Sequence, residues 1–214
     1  HYRSGEPWAA VDFEQIKNST GDEDAVPSYV EVNFNHACNL RCSYCSPQFS
    51  SSWADEVSRL GGYPTSTVHN APEHFASANR RPIPAREDNP YVAAFWSWWP
   101  TLYPQLRHFR MTGGEPLMDR NTYRVFDYVL AMPHPELHLN VTSNFSVEDA
   151  LFERYLDYVK RLCDTNIEHF MQYVSMDSGR ANQAEYIRHG MSADRVVINV
   201  NRYLTEAPHR NSLT

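Results

Sequence analysis

Strand-like segments alternate with helix-like segments along most of this 214-residue chain, and this order constrains the fold more than any other feature. The predicted strands are short and alternate apolar with polar residues. They cover residues 28–35, 108–113, 136–144 and 168–178. Helical periodicity covers residues 50–62, 91–99, 121–131, 180–189 and 193–205, and a further helix that begins at Ser146. This alternation predicts an α/β fold built from βαβ units around a parallel sheet.

Each predicted strand keeps one polar side, whereas parallel strands are normally buried on both faces. The polar positions are Glu31, Asn33 and Asn35; His108, Arg110 and Thr112; His138, Asn140, Thr142 and Asn144; and Tyr173, Ser175 and Asp177. A solvated sheet face is one explanation. The other is a curved sheet whose concave face encloses a polar ligand. Repetition on four strands, with helices to cover the opposite face, favours the enclosed ligand.

Three of the four cysteines lie within eight residues, directly after the first strand: Cys38, Cys42 and Cys45. An odd number of clustered thiols is not a disulfide framework, and it is typical of metal binding. A closed zinc site needs four ligands, usually from two separated pairs. His36 could complete that set, although a loop histidine without a metal role is the more common case. The alternative is a four-iron cluster with three protein thiolates and one iron open to another ligand.

Charge and composition give no support for a nucleic-acid or membrane partner. The formal net charge is −7, there is no polybasic run, and lysine occurs only at Lys17 and Lys160. No apolar run approaches the roughly 18 residues of a membrane helix. Clustered cysteines with one solitary Cys163 fit a reducing compartment, which predicts a cytoplasmic protein.

Two motifs resemble those of radical S-adenosylmethionine (SAM) enzymes. The spacing Cys38-x-x-x-Cys42-x-x-Cys45, with aromatic Tyr44 before the last cysteine, is similar to that family's cluster loop. The residues Gly113, Gly114, Glu115 and Pro116 follow the second strand, where the family carries its Gly-Gly-Glu-Pro motif. Residues 142–145 are similar to its Thr-Asn-Gly segment. Residues 184–200 resemble the Arg-x-x-Gly helix pair of the branch with SPASM or twitch extensions.

The resemblance implies a partial (β/α) barrel, a [4Fe–4S] cluster on Cys38, Cys42 and Cys45, and SAM bound to the open iron. It implies reductive cleavage of SAM to a 5′-deoxyadenosyl radical, which abstracts hydrogen from a substrate such as a peptide, a protein or a small molecule. An external flavodoxin- or ferredoxin-like protein would supply the electron. A non-catalytic iron–sulfur or zinc module for structure or electron transfer is the alternative function.

The same resemblance assigns further residues to SAM. Gly113 and Gly114 would let the backbone approach the ligand closely, and Glu115 would accept from the SAM ammonium. Asn144 would reach the ribose, while Ser175 and Arg188 would bind the carboxylate. Asp177, which lies on the same side of the fourth strand as Ser175, would meet the substrate.

The chain departs from the family pattern at several points. Phe145 stands where glycine is usual, and one residue rather than two separates Arg188 from Gly190. The gap between Cys45 and Gly113 predicts an insertion at residues 63–90. Only four strands are recognisable where the family has six, so we expect an N-terminal arm at 1–27 and a core at 28–214. That core is expected to be truncated after about four β/α units, with the fourth strand as a bare edge.

Overall fold

A computed structural model describes residues 13–21, 26–62, 66, 82–165, 169–207 and 211–213. Most of the predicted arm and insertion lies outside these residues. The described helices are α1 Phe13–Asn18, α2 Ser51–Leu60, α3 Pro90–Leu102, α4 Arg120–Ala131, α5 Asp149–Cys163, α6 Ala181–Ile187 and α7 Ala193–Glu206. The described strands are β1 Tyr29–Val32, β2 Arg41–Cys42, β3 His108–Met111, β4 His138–Ser143, β5 His169–Val174, β6 Arg188–His189 and β7 Asn211–Leu213. Two short 3₁₀ turns cover Tyr103–Gln105 and Pro116–Met118.

Five strands form one parallel sheet in the order β1-β3-β4-β5-β7. Helices α2 and α3 connect β1 to β3, α4 connects β3 to β4, and α5 connects β4 to β5. The strands β2 and β6 form a separate antiparallel pair. The predicted α/β architecture with parallel strands is therefore present, and the described part of the sheet is open, with β1 and β7 at its ends.

The prediction that the fourth strand is a bare edge is wrong. Strand β7 pairs in parallel with β5, and its residues Asn211–Leu213 lie opposite Phe170–Gln172. A three-residue strand is too short to show a period of two, so the sequence pattern could not reveal it.

One face of the sheet carries the apolar core. Alternate residues of the central strands are buried there, including Phe109, Met111, Leu139, Val141 and Phe170. Helices α4 and α5 cover this face with side chains such as Phe126, Tyr155 and Val159. The tryptophan-rich α3 packs beside them, because Trp99 is fully buried against Phe109. Trp99 is therefore a core residue.

The opposite face carries the polar positions that the alternation predicts. The Arg110 guanidinium donates to Thr142 Oγ1 on the next strand at 3.1 and 3.3 Å, and its carbon lies 4.7 Å from the ring centre of Tyr173. At the amino ends of the strands, the rings of His108, His138 and His169 follow one another at 4.5 and 5.3 Å. Polar side chains of neighbouring strands thus contact one another across the sheet.

Three helices differ from what their sequences indicate. Helix α3 does not stop at Pro100 but continues to Leu102, with Pro100 inside its last turn. Glu148 rather than Ser146 precedes α5, because the Ser146 hydroxyl accepts from the Ser192 N–H at 2.9 Å. On α7 the apolar side chains of Val197 and Leu204 are half exposed, so hydropathy alone does not mark the buried side of this helix. Among the described residues, no helix combines the length and the apolar content needed to cross a membrane.

Candidate active site

A cavity of about 200 Å³ lies at the carboxyl ends of the central strands, where ligands collect in open α/β sheets. All three clustered cysteines line it. The other predicted site residues that line it are Gly113, Gly114, Glu115, Asn144, Ser175 and Arg188. Two predicted residues do not line it: Pro116 is buried at the start of a 3₁₀ turn, and Asp177 forms an ion pair with Arg188. The fold thus brings together residues from five separate segments.

The N-terminus of α2 holds the backbone of the cysteine loop. The hydroxyls of Ser51 and Ser52 donate to the Cys38 carbonyl at 3.2 and 2.7 Å. The Ser50 hydroxyl donates to the Leu40 carbonyl at 2.6 Å, and the Trp53 indole N–H donates to the Cys42 carbonyl at 2.9 Å. The loop therefore has its carbonyls fixed by side chains of the next helix. The sequence predicted a helix at residues 50–62 but not these contacts.

The cysteine thiols sit in an environment that disfavours a free thiolate. Cys38 and Cys42 are buried and Cys45 is half-buried. Burial raises the pKa of Cys38 to about 12, and it also raises the pKa of Cys42 and of Cys45. A bound cation reverses this preference, because metal binding displaces the thiol proton. Three thiols on one cavity wall form a soft donor set that suits an iron–sulfur cluster.

No group of three or more His, Cys, Asp or Glu side chains converges as a metal-ion site within the described ranges. In a four-iron cluster each thiolate binds a different iron, so the three sulfurs need not converge on one point. His36, which could have completed a zinc site, is buried and does not line the cavity.

The turn at Gly113 and Gly114 packs directly on the loop that leads to the cysteines. Gly113 has a φ of +106°, and a Cβ there would lie 2.0 Å from Asn33 Oδ1. A Cβ on Gly114 would lie 2.3 Å from the Ala37 carbonyl oxygen. The Glu115 N–H donates to that same oxygen at 2.6 Å. Approach of a ligand is therefore not needed to explain these glycines, because contact with Asn33 and Ala37 already requires them.

Glu115 connects this turn to the end of β4. Its carboxylate accepts from the Ser143 hydroxyl at 2.7 Å, from the Asn144 N–H at 2.8 Å and from the Leu117 N–H at 3.0 Å. Burial raises the pKa of Glu115, and these hydrogen bonds act in the opposite direction. Most of the acceptor capacity of Glu115 is therefore used inside the protein.

After β4, Phe145 keeps the kind of backbone that the glycine of a Thr-Asn-Gly segment would adopt. Phe145 has a φ of +52°, a left-handed conformation that glycine adopts without strain. The ring of Phe145 is fully buried against Phe152 and Tyr203. The Asn144 side chain is fixed as well, since it donates to Asn39 Oδ1 at 2.9 Å and accepts from the Ser146 N–H at 2.7 Å.

Arg188 reaches the cavity through a two-residue ladder that the sequence pattern did not show. The predicted helix 180–189 ends at Ile187, and Arg188 then pairs with Cys42 across β2 and β6. Its guanidinium forms an ion pair with Asp177, with Nε 2.5 Å from Oδ2. Tyr44 donates its hydroxyl to the same carboxylate at 3.2 Å. Asp177, which we expected to meet the substrate, is thus engaged by protein side chains.

Comparison with known proteins gives structural likenesses but no family assignment. No protein-family model and no curated protein matches the chain. A crystal structure of Streptococcus suis SuiB bound to precursor peptide SuiA aligns at 11% identity and a TM-score of 0.47, covering 96% of this chain and 35% of SuiB. A structure of SuiB bound to S-adenosylmethionine aligns at 12% identity and a TM-score of 0.47, covering 88% and 34%. The chain spans about a third of SuiB, and TM-scores below 0.5 do not establish a common fold.

Proposed function

We propose that this protein is a radical SAM enzyme of the SPASM- or twitch-like branch. Cys38, Cys42 and Cys45 would hold a [4Fe–4S] cluster, and SAM would occupy the adjoining cavity. The observation that carries the proposal is the common cavity of these three cysteines with the Gly113–Glu115 turn. A zinc or electron-transfer module needs no such second motif beside its thiols.

When bound, the cluster and SAM supply one-electron cleavage of SAM and abstraction of hydrogen from a substrate C–H bond. The protein binds and orients these groups and excludes water from them. The half-buried Ser175 and the Arg188 guanidinium offer donors to a carboxylate on the cavity wall. Asn144 presents a fixed amide at the cavity wall, which would bind the ribose of SAM. Leu40 and Phe49 supply apolar wall.

The electron donor and the substrate belong to the same proposal. The described residues contain one cysteine besides the clustered three, Cys163 on α5, so their thiols provide ligands for a single cluster. An external flavodoxin- or ferredoxin-like protein would therefore deliver the electron. We propose a peptide or protein as the substrate, with a small molecule as the other class.

Anaerobic reconstitution with iron and sulfide tests the proposal. We expect about four irons and four sulfides per chain, and 5′-deoxyadenosine on addition of SAM and a low-potential reductant. Replacing Cys38, Cys42 and Cys45 by Ala should abolish the cluster and the product. The matched control is Cys163→Ala, which removes the remaining thiol outside the cavity and should keep both.

Two results would contradict the proposal. One is stoichiometric zinc with no iron, which would indicate the structural alternative. The other is a cluster that persists in the triple Ala variant. A cluster that binds normally but never yields 5′-deoxyadenosine with SAM would instead favour an electron-transfer module.

A further inference from the structure

Backbone pairing fixes Arg188 opposite one of the clustered cysteines. Arg188 and Cys42 are direct partners in the antiparallel β2–β6 ladder. The Ser43 N–H also donates to the Ile187 carbonyl at 2.8 Å. Gly190 turns the chain immediately afterwards with a φ of +97°, and a Cβ there would lie 3.2 Å from the Asn39 carbonyl oxygen. Backbone pairing and the turn at Gly190 therefore fix the backbone of Arg188 beside Cys42.

Asp177 and Tyr44 then fix the direction of the guanidinium. Arg188 Nε lies 2.5 Å from Asp177 Oδ2, and Nη2 lies 3.4 Å from Oδ1. The Tyr44 hydroxyl donates to both carboxylate oxygens, at 3.2 and 3.4 Å. Nε and Nη2 thus face the Asp177 carboxylate, and Nη1 lies 3.7 Å from the Cys42 Sγ. The Arg188 side chain is only 12% exposed, so water screens this contact weakly.

We propose that Arg188 sets the reduction potential of the cluster and that Asp177 is the positioning residue that aims it. This inference rests on the proposed function. Reduction adds one electron from the external donor, so the reduced cluster carries one more negative charge. A positive donor at the Cys42 sulfur stabilises that charge, because hydrogen bonds to cluster sulfurs are among the factors that set the potential. Arg188 therefore makes the cluster easier to reduce.

A purely structural ion pair is the competing explanation for Arg188 and Asp177. Such a pair would change the free energy of unfolding but not the electron affinity of the cluster. A substrate-binding role of Asp177 would also leave the reduction potential unchanged, since the potential is measured without substrate. The reduction potential of the resting cluster thus separates the three roles.

The first measurement compares reduction potentials, by titration monitored with electron paramagnetic resonance, after anaerobic reconstitution. At a fixed solution potential, we expect Arg188→Gln to lower the ratio of reduced to oxidised cluster about tenfold, which is about 59 mV for one electron. Arg188→Lys keeps the charge and should retain most of the potential. Arg180→Gln is the matched control, because it removes an exposed positive charge from the same segment, and it should leave the potential unchanged.

The second measurement uses the sign of the effect of Asp177→Asn. Loss of a nearby negative charge alone would raise the reduction potential. A guanidinium that no longer points at the Cys42 sulfur would instead lower it. We expect a fall of roughly threefold in the same ratio. A rise or no change overturns the positioning role, and an unchanged potential in Arg188→Gln overturns the whole inference. Wild-type protein that binds no cluster overturns the proposed function as well, so the two failures are distinguishable.

Discussion

At the scale of single residues, Gly114 shows how tightly the two motifs fit together. Its position leaves no room for a side chain, because a Cβ would lie 2.3 Å from the Ala37 carbonyl oxygen. That oxygen belongs to the backbone and also accepts from the Glu115 N–H, so it cannot move aside alone. The Gly-Gly-Glu turn and the cysteine loop therefore position each other.

Replacing Gly114 by Ala should lower the free energy of unfolding by about 1–3 kcal/mol, as overpacking typically does. It should also reduce iron incorporation, since the loop that carries Cys38 must shift. Urea unfolding and iron analysis measure the two effects. The matched control is Gly179→Ala, where a Cβ would meet nothing within 4 Å. Equal stability of the two variants would show that the turn and the loop do not constrain each other.

Spacing made the cysteines and the Gly-Gly-Glu-Pro motif recognisable, because the residues of each motif lie close together in sequence. The Tyr44 contact with Asp177 and the Arg188 contact with Cys42 were not recognisable, because in each pair the two residues lie far apart in sequence. Tyr44 lies 133 positions from Asp177, and the Arg188 contact with Cys42 spans 146 positions. Such pairs depend on the path of the whole chain. The polar side of the fourth strand placed Asp177 near the site but could not show what it binds.

At the scale of elements, the N-terminus of α2 connects helix stability to the site. Ser50 caps the helix by accepting from the Trp53 N–H at 3.2 Å, and its hydroxyl donates to the Leu40 carbonyl. A serine before a helical period that ends at glycine is the usual sequence signal for such a cap. Hydropathy is a weaker guide to the buried side of α7. There Asn199 is buried because it donates to the Phe145 carbonyl at 2.8 Å, a reason that hydropathy does not reveal.

Replacing Ser50 by Ala should lower the free energy of unfolding by about 1–2 kcal/mol, since it removes a cap and leaves the Leu40 carbonyl without this donor. The cysteine loop should loosen as well, which faster hydrogen exchange at residues 38–45 would report. Ser58→Ala on the same helix is the control, because Ser58 is exposed. A loss of stability without faster exchange in the loop would mean that Ser50 acts as a helix cap only.

At the scale of the whole molecule, the alternation of strands and helices was enough to predict parallel βαβ topology. The period of two also predicted which side of each central strand is polar, since burial enforces that pattern along four or more residues. The number of strands was not predictable. Strand β7 is held by pairing with β5 and not by its own sequence, so it has no signal of its own.

Strand β7 covers the edge of β5, and its removal should therefore promote self-association. Without residues 208–214, the backbone groups of Phe170–Gln172 on that side lose their parallel partner. An unpaired strand edge pairs readily with another chain. We expect the shortened protein to form oligomers that grow with concentration in size-exclusion chromatography with light scattering, while the 214-residue chain does so less. A charged residue on an exposed edge opposes such pairing, so Met171→Lys in the shortened protein should restore the monomer. Oligomers that Met171→Lys does not reduce would place the cause away from β5, and a monomeric shortened protein would show that β7 does not protect this edge.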